Sequence, residues 1–137
     1  MKRLTIITMA MIMSVMPSGV AHAAKKKDLC PQWHSLALSV GWKKKDIKTL
    51  DRLMHRESRC RPKALNTTLN RNGSWDYGLM QINDRTWCIP SKYSSKGYLQ
   101  SKKVLKTCEE LLTPVTNLVA ALAVHKAAGN NFSPWGE

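Results

Sequence analysis

Apolar residues recur at helical spacing along most of the chain after residue 30. In segment 31–41, a proline stands at a favoured first helical position and a glycine at a favoured stop. Between them, one apolar stripe is formed by Trp33, Leu36, Ala37 and Val40. The pattern predicts a first helix over residues 31–41.

Three further helices are predicted. The second runs from Asp46, a good N-cap residue, to about Arg61, because Pro62 disfavours helix in the residue before it. The third covers roughly 101–112. The fourth runs from 113 to about 129, and its predicted apolar face consists of Val115, Leu118, Val119 and Leu122. Residues 64–76 are polar and include the turn signal "NRNG". A mainly helical domain with one long polar loop is therefore expected.

The first 23 residues have the order of a secretory signal peptide. Lys2 and Arg3 precede an apolar run over 4–16, and small residues lead to "AHA" at 21–23. The run is shorter than the about 20 residues that a membrane-spanning helix needs. We expect cleavage after Ala23, with residues 24–137 as an exported, monomeric domain that is not inserted in a membrane. A retained membrane anchor is the alternative.

All four cysteines, Cys30, Cys60, Cys88 and Cys108, lie in the predicted mature part. Small exported domains gain from covalent crosslinks because their cores are small. Neither a C-x-x-C pair nor an H-x-x-x-H pair is present, so the spacing of a zinc site is missing. Two disulfides are predicted, and spacing alone leaves all three pairings open.

The chain has a formal net charge of +13, with lysine runs at 25–27 and 43–45. For an exported protein, this charge favours an anionic surface such as a cell wall over nucleic acid as partner. A solubilising role of the lysines is the simpler alternative. No metal and no cofactor are predicted.

Glu57 continues the apolar stripe of the second predicted helix. It follows Leu53 by four residues and Met54 by three, whereas Arg56 and His55 are expected to face away. A carboxyl group held against apolar side chains favours its protonated form, which suits a general acid. The alternative is that Glu57 reaches back to solvent or pairs with Arg59 or Arg61.

Asp76 follows the "NRNGSW" turn and precedes "YGLMQIN", so a tight loop would carry it back towards the helix. Two carboxylates in different environments are the arrangement for cleaving a glycosidic bond. A calcium loop is rejected, because an EF-hand begun at Thr68 would place Leu79 where the bidentate glutamate belongs.

These residues carry a family resemblance. "ES" at 57–58 and "NGSWDYGLMQIN" at 72–83 resemble motifs of the soluble lytic transglycosylases within the lysozyme-like superfamily. "DYGLMQINDRTWC" is also similar to the active-site region of c-type lysozymes, and "CEELLTPVTNLVAALAVHKAAG" at 108–129 to their later helices. The resemblance covers most of residues 30–137 and implies an α+β lysozyme-like fold: helices with a short loop or β-like active-site segment.

The resemblance also implies roles. Glu57 matches the catalytic acid and Asp76 the second carboxylate of c-type lysozymes. The implied substrate-binding residues are Ser58, Tyr77, Gln81, Asn83 and Trp87. The resemblance implies a disulfide between Cys88 and Cys108. The other predicted pair is Cys30–Cys60, which would hold the mature N-terminus beside the end of the second predicted helix.

Two departures accompany the resemblance. "AVHKAAG" lacks the tyrosine that transglycosylases place near the acid, and Thr86 replaces an aromatic residue that is frequent in c-type lysozymes. The tryptophans nearer the ends, Trp33, Trp42 and Trp135, are interpreted as packing residues.

The resemblance implies an exported or periplasmic enzyme that cuts the β-1,4 bond between N-acetylmuramic acid and N-acetylglucosamine in peptidoglycan. The "GLMQ" motif favours lytic transglycosylation, and "SWDYG" keeps lysozyme-type hydrolysis open. A non-catalytic basic wall-binding module is the third hypothesis.

Overall fold

A computed structural model describes residues 27–91 and 95–137. The predicted signal peptide lies outside these residues. Within them, no helix is long and apolar enough to cross a membrane. The helices are α1 His34–Ser39, α2 Ile47–Ser58, α3 Asp84–Trp87, α4 Tyr98–Ser101 and α5 Pro114–Ala127. Single 3₁₀ turns cover Pro31–Trp33, Lys44–Asp46, Cys108–Leu112 and Ser133–Trp135.

Three two-residue strands form an antiparallel sheet in the order β1 Leu65–Asn66, β2 Asp76–Tyr77 and β3 Ile82–Asn83. Asp76 pairs with Asn66 on one side and with Asn83 on the other. The domain is therefore α+β, as the family resemblance implies.

The helices form largely where the pattern predicts them, with three differences. α2 ends at Ser58, because Arg59 and Cys60 adopt left-handed conformations with φ of 54° and 63°. The predicted helix over 101–112 is wrong: α4 ends at Ser101, Lys103 is left-handed with φ of 57°, and a Thr107–Glu110 capping box starts a new turn. Two short turns take the place of one helix.

The third difference is the face that α5 buries. Val115, on the predicted apolar face, is 46% exposed, whereas Asn117, Ala121 and Val124 are buried. Small alanines let α5 approach the core closely, and Asn117 turns a polar side chain inward. The core is centred on the fully buried residues Leu50, Leu53 and Met54 of α2 and Leu118 and Val124 of α5.

Asn117 fixes the loop between β2 and β3. Its amide nitrogen donates to the carbonyl oxygens of Tyr77 (2.8 Å) and Leu111 (2.9 Å), and its amide oxygen accepts from Met80 N–H (2.9 Å). Gly78 sits against this side chain with φ of 72°, and a Cβ there would lie 2.3 Å from the amide nitrogen of Asn117. One buried side chain thus joins the sheet to α5.

The disulfides are Cys30–Cys60 and Cys88–Cys108. Both predicted pairs are confirmed. The first joins the start of the described chain to the end of α2, and the second joins the end of α3 to the turn before α5.

Asp51, a residue that the sequence reading did not single out, holds the N-terminal segment on α2. Its carboxylate accepts from the backbone N–H groups of Leu29 (2.8 Å) and Cys30 (2.7 Å) and contacts His34 Nε2 at 2.8 Å. Burial raises the pKa of Asp51, but the hydrogen bonds and the His34 contact outweigh it, and the net pKa lies below the usual value of 3.8.

Candidate active site

Glu57 lies in the last turn of α2 at the edge of the apolar stripe. Leu53 and Met54, one turn earlier, are fully buried, whereas the Glu57 side chain is 24% exposed. The helical spacing therefore orients Glu57 as predicted. Its carboxyl group leaves the core and faces a cleft.

Arg56 is exposed, as its position on the helix predicts, but its long side chain reaches back to Glu57. Its Nε and Nη2 donate to Oε1 of Glu57 at 2.9 and 2.8 Å. The same guanidinium group contacts the Glu137 carboxylate and the carbonyl oxygen of Trp135. A long, flexible arginine side chain can reach back from a neighbouring helix face. Among the described residues, Oε2 of Glu57 accepts no hydrogen bond.

Asp76 lies in β2 and is surrounded by amide groups. Oδ2 accepts from the side-chain amides of Asn66 (2.9 Å) and Asn70 (2.7 Å), and Oδ1 accepts from Asn83 (2.7 Å). Sheet pairing places Asn66 and Asn83 beside Asp76, and the turn after β1 supplies Asn70. The Asp76 side chain thus accepts hydrogen bonds from three amides, which hold it in place.

Glu57 and Asp76 line the same cleft, with a volume of about 400 Å³. α2 supplies the glutamate and the sheet supplies the aspartate. The other lining residues are Asn66, Leu69, Gln81, Ile82, Asn83, Trp87, Val124, Pro134 and Trp135. The two carboxyl groups thus differ in setting: one contacts an arginine and the other is bound by amides.

Three of the five expected substrate-binding residues line this cleft: Gln81, Asn83 and Trp87. Gln81 is left-handed with φ of 46°, and its amide donates to the Gly78 carbonyl at 3.0 Å. Trp87 packs edge-on against Tyr98, with ring centroids 5.4 Å apart.

Ser58 and Tyr77 lie behind the cleft wall. Ser58 is 2% exposed and its hydroxyl donates to the Met54 carbonyl at 2.9 Å. Tyr77 is 4% exposed. Burial, with smaller contributions from Asp84 and Glu109, raises its pKa. Their positions favour a supporting role for both residues over direct contact with a ligand.

Trp135 was interpreted as a packing residue, but it lines the cleft. Its Nε1 donates to the Met80 carbonyl at 2.8 Å, so the turn Ser133–Trp135 is tied to the sheet loop. Trp42, by contrast, is 3% exposed and packs as expected, with Nε1 donating to the Leu118 carbonyl at 3.1 Å. The sequence holds no periodic signal for Trp135, because it follows a glycine stop and lies in a short turn.

The asparagines of the polar loop also do more than shape turns. Asn66 accepts from the N–H groups of Thr68 and Leu69, and its amide meanwhile donates to Asp76.

Within residues 27–91 and 95–137, no group of three or more histidine, cysteine, aspartate or glutamate side chains could hold a metal ion.

Comparison with known proteins identifies the family. Residues 34–137 match the family model described as a lysozyme-like domain. The chain is 40% identical over 67 residues to the lysozyme of Hyalophora cecropia, a match that covers 49% of this chain and 44% of that protein. It is 42% identical over 69 residues to the lysozyme of Bombyx mori, covering 50% and 46%. The chain thus spans about half the length of these relatives.

Among solved structures, the fold is similar to the crystal structure of a lysozyme from Litopenaeus vannamei. The TM-score is 0.60 at 26% identity, over 82% of this chain and 84% of that one. Together with the helices, the small sheet and the two carboxyl groups that line one cleft, these matches show that the chain belongs to the lysozyme-like domain family.

Proposed function

We propose that this protein is a glycosidase that hydrolyses the β-1,4 bond between N-acetylmuramic acid and N-acetylglucosamine in peptidoglycan. The observation that carries the proposal is the pair Glu57 and Asp76, held on different elements across one cleft. The lysozymes among its relatives support the same reaction class. Because the chain spans about half of those relatives, its activity is inferred from its own site.

In this reaction Glu57 donates a proton to the glycosidic oxygen as the bond breaks. Arg56 contacts only Oε1, so Oε2 is the oxygen that can carry and deliver the proton. Asp76, kept in place by three amides, stabilises or bonds to the positive carbon that develops on the sugar. Water then adds to that carbon, and Glu57 regains its proton from the water.

The cleft lining fits an N-acetylated sugar. The amides of Gln81 and Asn83 offer hydrogen bonds, and the indoles of Trp87 and Trp135 offer apolar faces. A few polar groups among apolar walls are typical of ligand sites of this size. The basic charge and the two disulfides support an exported protein that acts at an anionic cell wall.

Lytic transglycosylation is the second candidate, and here the preference drawn from the "GLMQ" motif is reversed. In that reaction the 6-hydroxyl of the sugar attacks in place of water, and the second carboxylate is dispensable. Gln81 of the motif does line the cleft. Three amide donors around Asp76 are not needed by such an enzyme, and this favours hydrolysis.

Two substitutions and their products test the proposal. Glu57→Gln keeps the shape but cannot donate the proton, and we expect a loss of about 10²–10⁴-fold in lysis of purified peptidoglycan. Asp76→Asn should lose a similar factor under hydrolysis. The matched controls are Glu109→Gln and Asp28→Asn, two exposed acids outside the cleft. Circular dichroism confirms folding of each variant.

Mass spectrometry of the released fragments distinguishes the reactions. Reducing ends, together with an inactive Asp76→Asn variant, support hydrolysis. Anhydro ends, together with an active Asp76→Asn variant, would refute hydrolysis and support lytic transglycosylation. If the protein binds cell walls but no cleavage depends on Glu57, the glycosidase proposal is wrong. The remaining hypothesis is then a non-catalytic wall-binding module.

A further inference from the structure

A second, strongly basic cavity lies away from the cleft, between the start of α2 and the end of α5. It has a volume of about 50 Å³ and is lined by Gly41, Lys43, Lys45, Asp46, Leu122, His125, Lys126 and Asn130. It shares no lining residue with the cleft. The "KKKD" run at 43–46, which the proposed reaction does not use, supplies one wall.

The charges around this cavity are not balanced internally. Three lysines, Lys43, Lys45 and Lys126, face one carboxylate, Asp46. None of the three lysines forms a salt bridge within the described residues. The cavity therefore carries an excess of positive charge that only solvent or a bound anion can neutralise.

His125 is the one histidine among the residues that line this cavity. It is 5% exposed and packs against Trp42 and Phe132, with ring centroids 5.1 and 4.6 Å away. Its Nδ1 is buried and has no hydrogen-bond partner among the described residues. A buried polar atom without a partner costs stability, so its retention here calls for a physical reason.

We propose that this cavity binds a phosphate group. A volume of about 50 Å³ would hold roughly three to four waters, which is the size of one tetrahedral anion and too small for a sugar ring. Three ammonium groups and the imidazole supply donors on several sides, and a tetrahedral anion offers more acceptor oxygens than a carboxylate. The inference does not depend on the proposed glycosidase activity.

Two groups oppose the anion. Asp46 carries a like charge, and the carbonyl groups at the C-terminal end of α5 contribute a partial negative charge. Three lysines exceed one carboxylate, and protonation of His125 would add a fourth cation. Burial lowers the pKa of His125; the neighbouring lysines lower it further, while Asp46 raises it. A bound anion should therefore raise this pKa.

Binding is tested by NMR titration of the purified protein with inorganic phosphate at constant ionic strength. We expect saturable shifts of the His125 ring and of the residues around it. Lys45→Gln and Lys126→Gln should each weaken binding by about fivefold, the size of one good exposed charge contact. Lys63→Gln is the matched control, because Lys63 is an exposed lysine outside this cavity.

A second readout is the pKa of His125. Sulfate, whose charge is constant between roughly pH 5 and 8, should raise the pKa of His125. The proposed site would be refuted if the NMR shifts did not saturate with phosphate, or if Lys45→Gln weakened binding no more than Lys63→Gln. Either result would indicate only a general accumulation of anions around a basic protein. An unchanged pKa of His125 at saturating sulfate would also refute the proposed site.

Competition against inorganic phosphate identifies the source of the group. Displacement by poly(glycerol phosphate) indicates a phosphodiester polymer, and displacement by phosphatidylglycerol vesicles indicates a lipid headgroup. Displacement by neither leaves free phosphate as the ligand.

Discussion

Replacing Asp51 with asparagine tests how far one buried carboxylate holds the N-terminal segment on α2. The carboxylate receives two backbone N–H groups and His34 Nε2. Asparagine keeps one acceptor oxygen but turns an NH₂ donor towards a backbone N–H that then has no partner. Hydrogen bonds to charged groups contribute about 1.5–3 kcal/mol each, and part of this is recovered by the remaining acceptor.

The expected loss in free energy of unfolding is about 3 kcal/mol, or roughly 10 °C in Tm for a domain of this size. Thermal and denaturant unfolding with intact disulfides measure it. Asp28→Asn removes the same charge from the exposed neighbouring segment and should cost below about 0.5 kcal/mol. A loss for Asp51→Asn no larger than that of the control would refute the reasoning.

The pH dependence supplies a second check. Because the pKa of Asp51 in the folded protein lies below 3.8, its stabilisation is fully present above that value. It is lost as pH falls through the lower, folded-state pKa. The stability difference between the native chain and Asp51→Asn should therefore shrink as the pH falls below about 4. His125 is common to both proteins, so its own titration cancels in the comparison.

Three other outcomes follow from the contacts of the cleft and the loops. Trp135→Ala should raise KM on wall fragments about tenfold, a change of roughly 1.4 kcal/mol, while Trp135→Phe keeps an aromatic face and loses less. Gly78→Ala should lower the free energy of unfolding by about 3 kcal/mol or more, because Gly78 has a positive φ and an added Cβ would overlap with Asn117. Gly136 also has a positive φ but open space around it, so Gly136→Ala should lower the free energy of unfolding by only about 1 kcal/mol. Replacing the Cys88–Cys108 pair with alanines opens a loop of 20 residues and should lower the free energy of unfolding by about 3 kcal/mol; a change under 1 kcal/mol would contradict it.

Helix α2, which carries Glu57, was predictable because the sequence pattern that defines it is local. Leu50, Leu53 and Met54 repeat at helical spacing, and that spacing alone orients Glu57. The pairing of the cysteines could not be obtained in this way, since four cysteines allow three pairings. The family resemblance supplied Cys88–Cys108, the positions of Cys30 and Cys60 favoured the other pair, and the structure confirms both.

Other parts of the site rest on contacts between distant residues. The three strands have two residues each, which is too short to show the alternation of apolar and polar residues that identifies a β-strand. The sequence therefore did not predict the sheet that aligns Asp76 with Asn66 and Asn83. Trp135 reaches Met80 across 55 residues. The contact between Arg56 and Glu57 was missed for a different reason. The helical spacing predicts the direction of the Cα–Cβ bond, but the guanidinium group of a long arginine side chain can still reach a residue on a neighbouring face.

The relative position of the two carboxyl groups depends on residues that need not touch substrate. Glu57 is fixed through α2, whereas Asp76 is fixed through the sheet, so their separation is set by whatever joins these two parts. Asn117 binds the loop after β2 to α5, and Trp135 bridges the same loop to the turn that Arg56 contacts. Arg56 in turn contacts Glu57, and a chain of hydrogen bonds therefore connects the sheet loop to the acid. Since reacting groups must be held to within a fraction of an ångström, loosening of this chain should reduce turnover before it unfolds the domain.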